Sequence, residues 1–202
     1  MITVRNISKS YKSNVVLDNV SLDIKKGKCI YIHGINGSGK STLFKIICGI
    51  IKSDKGEIIK DKGIYIGALI ENPGFIEEEN IKYNLKFLAS INHHYNEDKV
   101  RELCRKFSLN YDNKEAIKNY SLGMRQKTGI IQSIMENQDL ILLDEPTRGL
   151  DRESIKAFVL LVNKLIEEDK TVIIASHDYL EDIHFTDQYT LSNGHLIKDE
   201  TL

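Results

Sequence analysis

Long apolar runs are missing from this sequence. Stretches such as Ile46–Ile51 and Ala157–Val162 span only six residues each, against about 20 needed to cross a bilayer as a helix. No transmembrane helix is therefore expected. The first residues, Met1-Ile2-Thr3-Val4-Arg5-Asn6, alternate in polarity and offer no apolar signal region. Cysteine is scarce. Cys29, Cys48 and Cys104 are odd in number and fall in no metal-ligand spacing, so they read as small buried residues or surface thiols of a reducing cytosol. An excess of either charge is also lacking. Lys plus Arg total 28 against 29 for Asp plus Glu, a net charge of -1, which argues against broad nucleic-acid binding. No internal repeat, low-complexity tract or linker interrupts the chain. What is present is enough apolar material, 41% of 202 residues, for one domain around a real core.

The polarity pattern alternates between strand and helix. Val20, Leu22 and Ile24 alternate with Ser21, Asp23 and Lys25, the period of a half-buried strand. Cys29–Ile32 is almost wholly apolar, as in a strand buried on both faces, and Lys40–Cys48 is helix-like. Glu57–Lys60 and Ile64–Ile66, with polar turns near Gly56 and Gly63, predict short hairpin strands. From about Asn72 to Glu136 strand signal fades. Ile81, Leu85 and Leu88 recur at helical spacing, as do Val100, Leu103, Cys104 and Phe107, and a further helix should start near Ser121. Leu140–Leu143 and Val172–Ala175 read as buried strands flanking a helix over Arg152–Glu167. Tyr189–Leu191 and Leu196-Ile197, joined at Asn193-Gly194, read as a closing hairpin. This alternation predicts an α/β fold of parallel strands with helices on both faces.

Gly34-Ile35-Asn36-Gly37-Ser38-Gly39-Lys40-Ser41 fits the phosphate-binding P-loop pattern, after a buried strand and at a helix start. The glycines let several N–H groups turn inward, and the helix N-terminus adds positive potential. Lys40 is expected on the β- and γ-phosphates, the Ser41 hydroxyl on Mg²⁺, and Thr42 on a phosphate oxygen. Leu140-Ile141-Leu142-Leu143 runs into Asp144-Glu145, adjacent acids suited to holding Mg²⁺ (Asp144) and to polarising an attacking water (Glu145).

Tyr120-Ser121-Leu122-Gly123-Met124-Arg125-Gln126 resembles the LSGGQ signature of ATP-binding cassette (ABC) ATPases, and lies about twenty residues before the Asp144 strand, as in that family. The resemblance spans essentially all 202 residues. It implies a P-loop NTPase with a mostly parallel core sheet, an antiparallel β subdomain in the N-terminal part and an inserted α-helical subdomain, the latter at approximately 72–136 of a single 1–202 ATP-binding domain. It further implies that Ser121 and Gly123 bind the γ-phosphate held by an opposite protomer, and that Asp151, in Gly149-Leu150-Asp151, lies at the dimer seam. His177 would contact the γ-phosphate, and Tyr11 would stack on adenine unless it is a plain strand tyrosine. The cofactors implied are ATP and Mg²⁺. The implied partners are a second ATP-binding subunit and a separate membrane permease, with no nucleic acid, and the implied location is cytoplasmic, on the inner face of the membrane through that permease. Some of Phe75, Ile76, Tyr83 and Phe87 would form the groove for a coupling helix, the others packing in the core.

Two segments depart from the family pattern. Glu71 stands where a glutamine is usual, keeping an oxygen for Mg²⁺ but adding charge. Leu122 replaces the first signature glycine and must take an ordinary backbone conformation, and Met124 replaces the signature glutamine. Ser-Leu-Gly-Met-Arg-Gln together with Ala68-Leu69-Ile70-Glu71-Asn72-Pro73-Gly74-Phe75 looks like the ATPases of bacitracin-resistance and lantibiotic-immunity exporters. The chain stops soon after the closing hairpin, so no role carried by a C-terminal extension is expected. The alternatives are a soluble ABC ATPase working on nucleic acid or ribosomes, and a weakly hydrolysing regulatory module. A G protein is disfavoured because Asn163-Lys164 runs into Leu165-Ile166, with no guanine motif. His93-His94, His184 and His195 sit in polar stretches without ligand spacing.

Overall fold

The computed structural model describes residues 1–92 and 94–199; His93, one of the histidines weighed above, lies outside them. Two sheets organise the chain. β1 (Ile2–Tyr11) pairs antiparallel with β2 (Asn14–Ile24) and β4 (Lys55–Lys60) in a three-stranded sheet of order β2-β1-β4. A six-stranded sheet of order β5-β6-β7-β3-β8-β9 contains β3 (Cys29–His33), β5 (Ile66–Leu69), β6 (Leu140–Asp144), β7 (Thr171–Ser176), β8 (Asp187–Ser192) and β9 (His195–Lys198). Its strands run parallel except β9, which closes antiparallel on β8.

The expected hairpin of residues 57–66 does not form. β4 joins the N-terminal sheet, while β5 pairs in parallel with β6. Two short polar strands flanking a turn look like partners, but β1 offers β4 an open edge, and the buried β6 offers β5 an apolar one.

The central strands are apolar on both faces because they separate two cores. Cys29 and Tyr31, Ile141 and Leu143, and Val172 and Ile174 point into one; Ile30 and Ile32, Leu140 and Leu142, and Ile173 and Ala175 point into the other. Alternation of side chains across a strand makes this division. Each such Leu or Ile contributes about 1.5–3 kcal/mol by leaving water. α1 (Lys40–Cys48) and the small sheet cover the second core, through Leu43, Phe44 and Ile47 among others. α2 (Ile81–Ser90), α3 (Glu97–Lys106), α4 (Leu122–Ile134) and α5 (Arg152–Glu167) serve the first. In α5, Phe158, Leu161, Val162 and Leu165 recur at helical spacing and are buried, while Leu160 on the other face is 71% exposed. α2, α3 and α4 all lie in the chain between β5 and β6. A short 3-10 turn at Ile117–Asn119 precedes α4, and Ser121 caps it.

The parallel register gathers the loops after β3, β5, β6 and β7 at one edge of the sheet, where ligands of open α/β folds bind. Those loops carry the P-loop, Glu71, Glu145 and His177.

Candidate nucleotide-binding site

The P-loop leaves β3 at His33 and turns into α1 through left-handed glycines, Gly37 at φ 83° and Gly39 at φ 108°. Gly39 has a second constraint: a Cβ there would lie 2.9 Å from the Val16 carbonyl oxygen. Gly39 is also the N-cap of α1 and supplies no capping side chain. The first N–H groups of α1 therefore keep their positive end for an anion. Lys40 is buried, its Nζ donating to the Gly34 carbonyl and, at 3.2 Å, to the Ile35 carbonyl. It lies 3.3 Å from Glu145 Oε1.

Asp144 ends β6 and is 4% exposed. Its Oδ2 accepts from the Ser41 hydroxyl at 2.5 Å, whereas its Oδ1, like the Ser38 Oγ, is buried without a hydrogen-bond partner among the described residues. Burial pushes the Asp144 carboxyl above the usual carboxylate range, and the Ser41 hydrogen bond pulls it partly back. An orphaned carboxylate oxygen beside a serine hydroxyl is a hard-oxygen donor set. It fits Mg²⁺, which takes one or two carboxylates and completes its shell with phosphate and water.

Glu145 sits in the left-handed region at φ 47°. Its N–H donates to the Ala175 carbonyl at 2.8 Å. Its carboxylate meets Ser176 Oγ at 3.1 Å, the His177 N–H at 3.2 Å and His177 Nδ1 at 2.7 Å. The other ring nitrogen of His177 is 3.3 Å from Asp178. Glu145 thus stands among Lys40, Ser176 and His177.

Lys40, Ser41, Asp144 and Glu145 open onto a cleft of about 400 Å³, which Ser38 and His177 do not line. Asn36, Gly37, Ser41 and Thr42 line it with Lys40, Asp144 and Glu145, while Gly34 lies buried beneath. Tyr11 stands at its side, 49% exposed, with Lys9 Nζ 5.6 Å from its ring centre. Glu71 also lines the cleft, at φ 56°, but its carboxylate is paired to Lys45 Nζ at 2.7 Å. Lys45 therefore answers the charge that a glutamate adds there.

Ser121, Gly123 and Asp151 do not line this cleft. Ser121 caps α4, accepting from the Met124 N–H at 3.2 Å. Gly123 packs so closely on the loop after β6 that a Cβ would meet the Gly149 carbonyl oxygen at 2.5 Å. Leu122 begins the helix with an ordinary φ and a half-exposed side chain. Asp151 caps α5, accepting from the Ser154 N–H at 2.8 Å and the Ser154 hydroxyl at 2.7 Å; these bonds hold its carboxyl down at about 2.

Sequence patterning missed Lys45, Ser176 and Gln126. Each meets its partner through the fold, and none of their spacings signals the contact.

Comparison with known proteins shows the family. The family model described as ABC transporter matches residues 17–148. The chain belongs to the ABC transporter ATP-binding family. It is 33% identical to the lantibiotic transport ATP-binding protein SrtF of Streptococcus pyogenes, over 93% of this chain and 84% of that protein. It is 31% identical to the bacitracin transport ATP-binding protein BcrA of Bacillus licheniformis, over 88% of this chain and 61% of that one. Among solved structures, the dimeric structure of a bacterial ABC transporter cassette superposes with a TM-score of 0.84 at 25% identity, covering 100% of both chains. As an ABC ATP-binding subunit the chain carries no helix among its described residues long and apolar enough to cross a membrane.

Proposed function

We propose that this ABC subunit hydrolyses ATP to drive export of peptide antibiotics through a separate permease, as a head-to-tail pair at the cytoplasmic face of the membrane. One observation carries the catalytic part: Lys40, Ser41, Asp144 and Glu145 converge on a single cleft with an unpartnered buried carboxylate oxygen.

The open N–H groups of α1 receive the phosphates, and Lys40 offsets charge on the β- and γ-groups. Gly34, Asn36, Gly37, Ser38 and Gly39 shape that cradle, Thr42 supports a phosphate oxygen, and Tyr11 stacks on adenine. Ser41 and Asp144 would hold Mg²⁺, with Glu71, now paired to Lys45, as a further oxygen at the cleft; the ion would screen the phosphate charge. Glu145 takes a proton from the attacking water as its oxygen bonds to the γ-phosphorus and the bond to ADP breaks. His177, already on Glu145, holds the γ-phosphate. Ser121 and Gly123 of a second copy close over the phosphate, with Asp151 at the seam. A ligand shared by both halves ties closure to the intact triphosphate, and hydrolysis removes the tie.

The family likeness supports the permease. Ile76, Tyr83 and Phe87 are 40%, 46% and 46% exposed, with the Tyr83 and Phe87 rings stacked 6.3 Å apart, an apolar face suited to a coupling helix. The names of SrtF and BcrA support the cargo class. Purification from its own membrane tests the reading. It predicts a co-purifying multi-span protein and loss of peptide-antibiotic resistance when Glu145→Gln replaces the native chain. Co-purification of ribosomes without a membrane protein would overturn it.

A further inference from the structure

We infer that Gln126 is a positioning residue for Glu145, holding its backbone from the helix that starts at the signature segment and thereby aiming its carboxylate. The inference rests on Glu145 acting as the base. Gln126 is 4% exposed, and its Nε2 donates to the Glu145 carbonyl oxygen at 2.9 Å. The same oxygen accepts the Arg148 N–H at 3.2 Å, and the Glu145 N–H is tied to Ala175. Glu145 is thus gripped on its N–H side by β7 and on its C=O side by α4 and the following turn.

The grip has a purpose in a residue at φ 47°. A non-glycine in this region is strained and relaxes unless its surroundings hold it. With its N–H held by Ala175, rotation about the N–Cα bond to relax this φ would carry the carbonyl and the side chain together, swinging the carboxylate away from Lys40, Ser176 and His177. Misplacing a reacting group by about 1 Å costs on the order of 100-fold in rate. A buried amide is also costly unless its hydrogen bond is made. Gln126 stands one helical turn after Gly123, so the face of α4 that packs on Gly149 also reaches Glu145.

Two substitutions test this. Gln126→Leu removes the donor and keeps the bulk; kcat should fall about 10- to 100-fold while nucleotide affinity stays within about twofold. Gln126→Glu puts a carboxyl against the carbonyl. Only its protonated form donates, so kcat relative to the wild type should recover as pH falls from about 8 to about 6. If the leucine variant fails to fold, the pH profile of the glutamate variant decides alone. Wild-type kcat in the variants, a parallel loss of nucleotide affinity, or a pH-independent deficit would overturn the inference. Glu145→Gln serves as the control. If it retains full turnover, the base assignment itself fails; if it is inactive while the Gln126 variants are not, only the inference falls.

Discussion

The P-loop and the signature segment are both helix N-termini, but they are finished differently. At α1 the N-cap is Gly39, which offers no side chain to the first N–H groups, and buried oxygens on Ser38 and Asp144 have no hydrogen-bond partner among the described residues. At α4 the N-cap is Ser121, whose hydroxyl already meets Met124, and Gly123 is pressed against Gly149 of its own chain. The first terminus offers its N–H groups to the cleft without a capping side chain. The second is locally satisfied and sits away from the cleft. On the proposed reading, a phosphate binds the first in one molecule, whereas the second meets a phosphate only by docking onto another. Binding and turnover should therefore separate by region.

The largest effect expected is at Glu145. Glu145→Gln should cut steady-state ATP hydrolysis by at least about 100-fold while retaining ATP, since general-base catalysis commonly supplies that much. Wild-type turnover would break the assignment. Next, Gly39→Ala should lower ATP affinity about tenfold or more and cost about 1–3 kcal/mol, because the residue sits at φ 108° against Val16; nucleotide titration and thermal melting read both. On the other side, Gly123→Ala should leave ATP binding by the isolated chain within about twofold but lower turnover about tenfold, as the Gly149 loop is pushed aside. Equal losses of binding at the two glycines would erase the contrast between the regions.

Smaller effects sharpen it. Asp144→Asn removes a buried charge with an unpartnered oxygen, so in chelator the melting temperature should rise by roughly a few degrees while hydrolysis is lost. The smallest is at Asp151, whose carboxyl is held at about 2 by Ser154. Its folded value lies below the unfolded one, so its stabilisation is full above the unfolded value of 3.8 and fades as pH falls through about 2. The melting difference between the wild type and Asp151→Asn should therefore be present at neutral pH and vanish in strong acid.

Much of the molecule was legible in its residues. The limits of α1 and α5 follow from the pattern because each helix presents one apolar stripe and has a clear start, at Gly39 and Asp151. The P-loop and Asp144-Glu145 were legible because their chemistry lies in adjacent residues. Strand pairing was not, since an edge chooses its neighbour by burial in the folded sheet; that is why β4 and β5 parted. Contacts across the fold stayed hidden for the same reason. Gln126 reaches Glu145 over 19 residues, Lys45 reaches Glu71 over 26, and Ser176 reaches Glu145 over 31. No local period encodes such distances.

The most direct measurement is the solution mass of the Glu145→Gln protein, by light scattering, with and without MgATP. Twice the protomer mass with MgATP, one protomer mass without it, and loss of the doubling in Gly123→Ala would meet the expectation. A single-protomer mass under saturating MgATP, with nucleotide demonstrably bound, would contradict the shared-phosphate account.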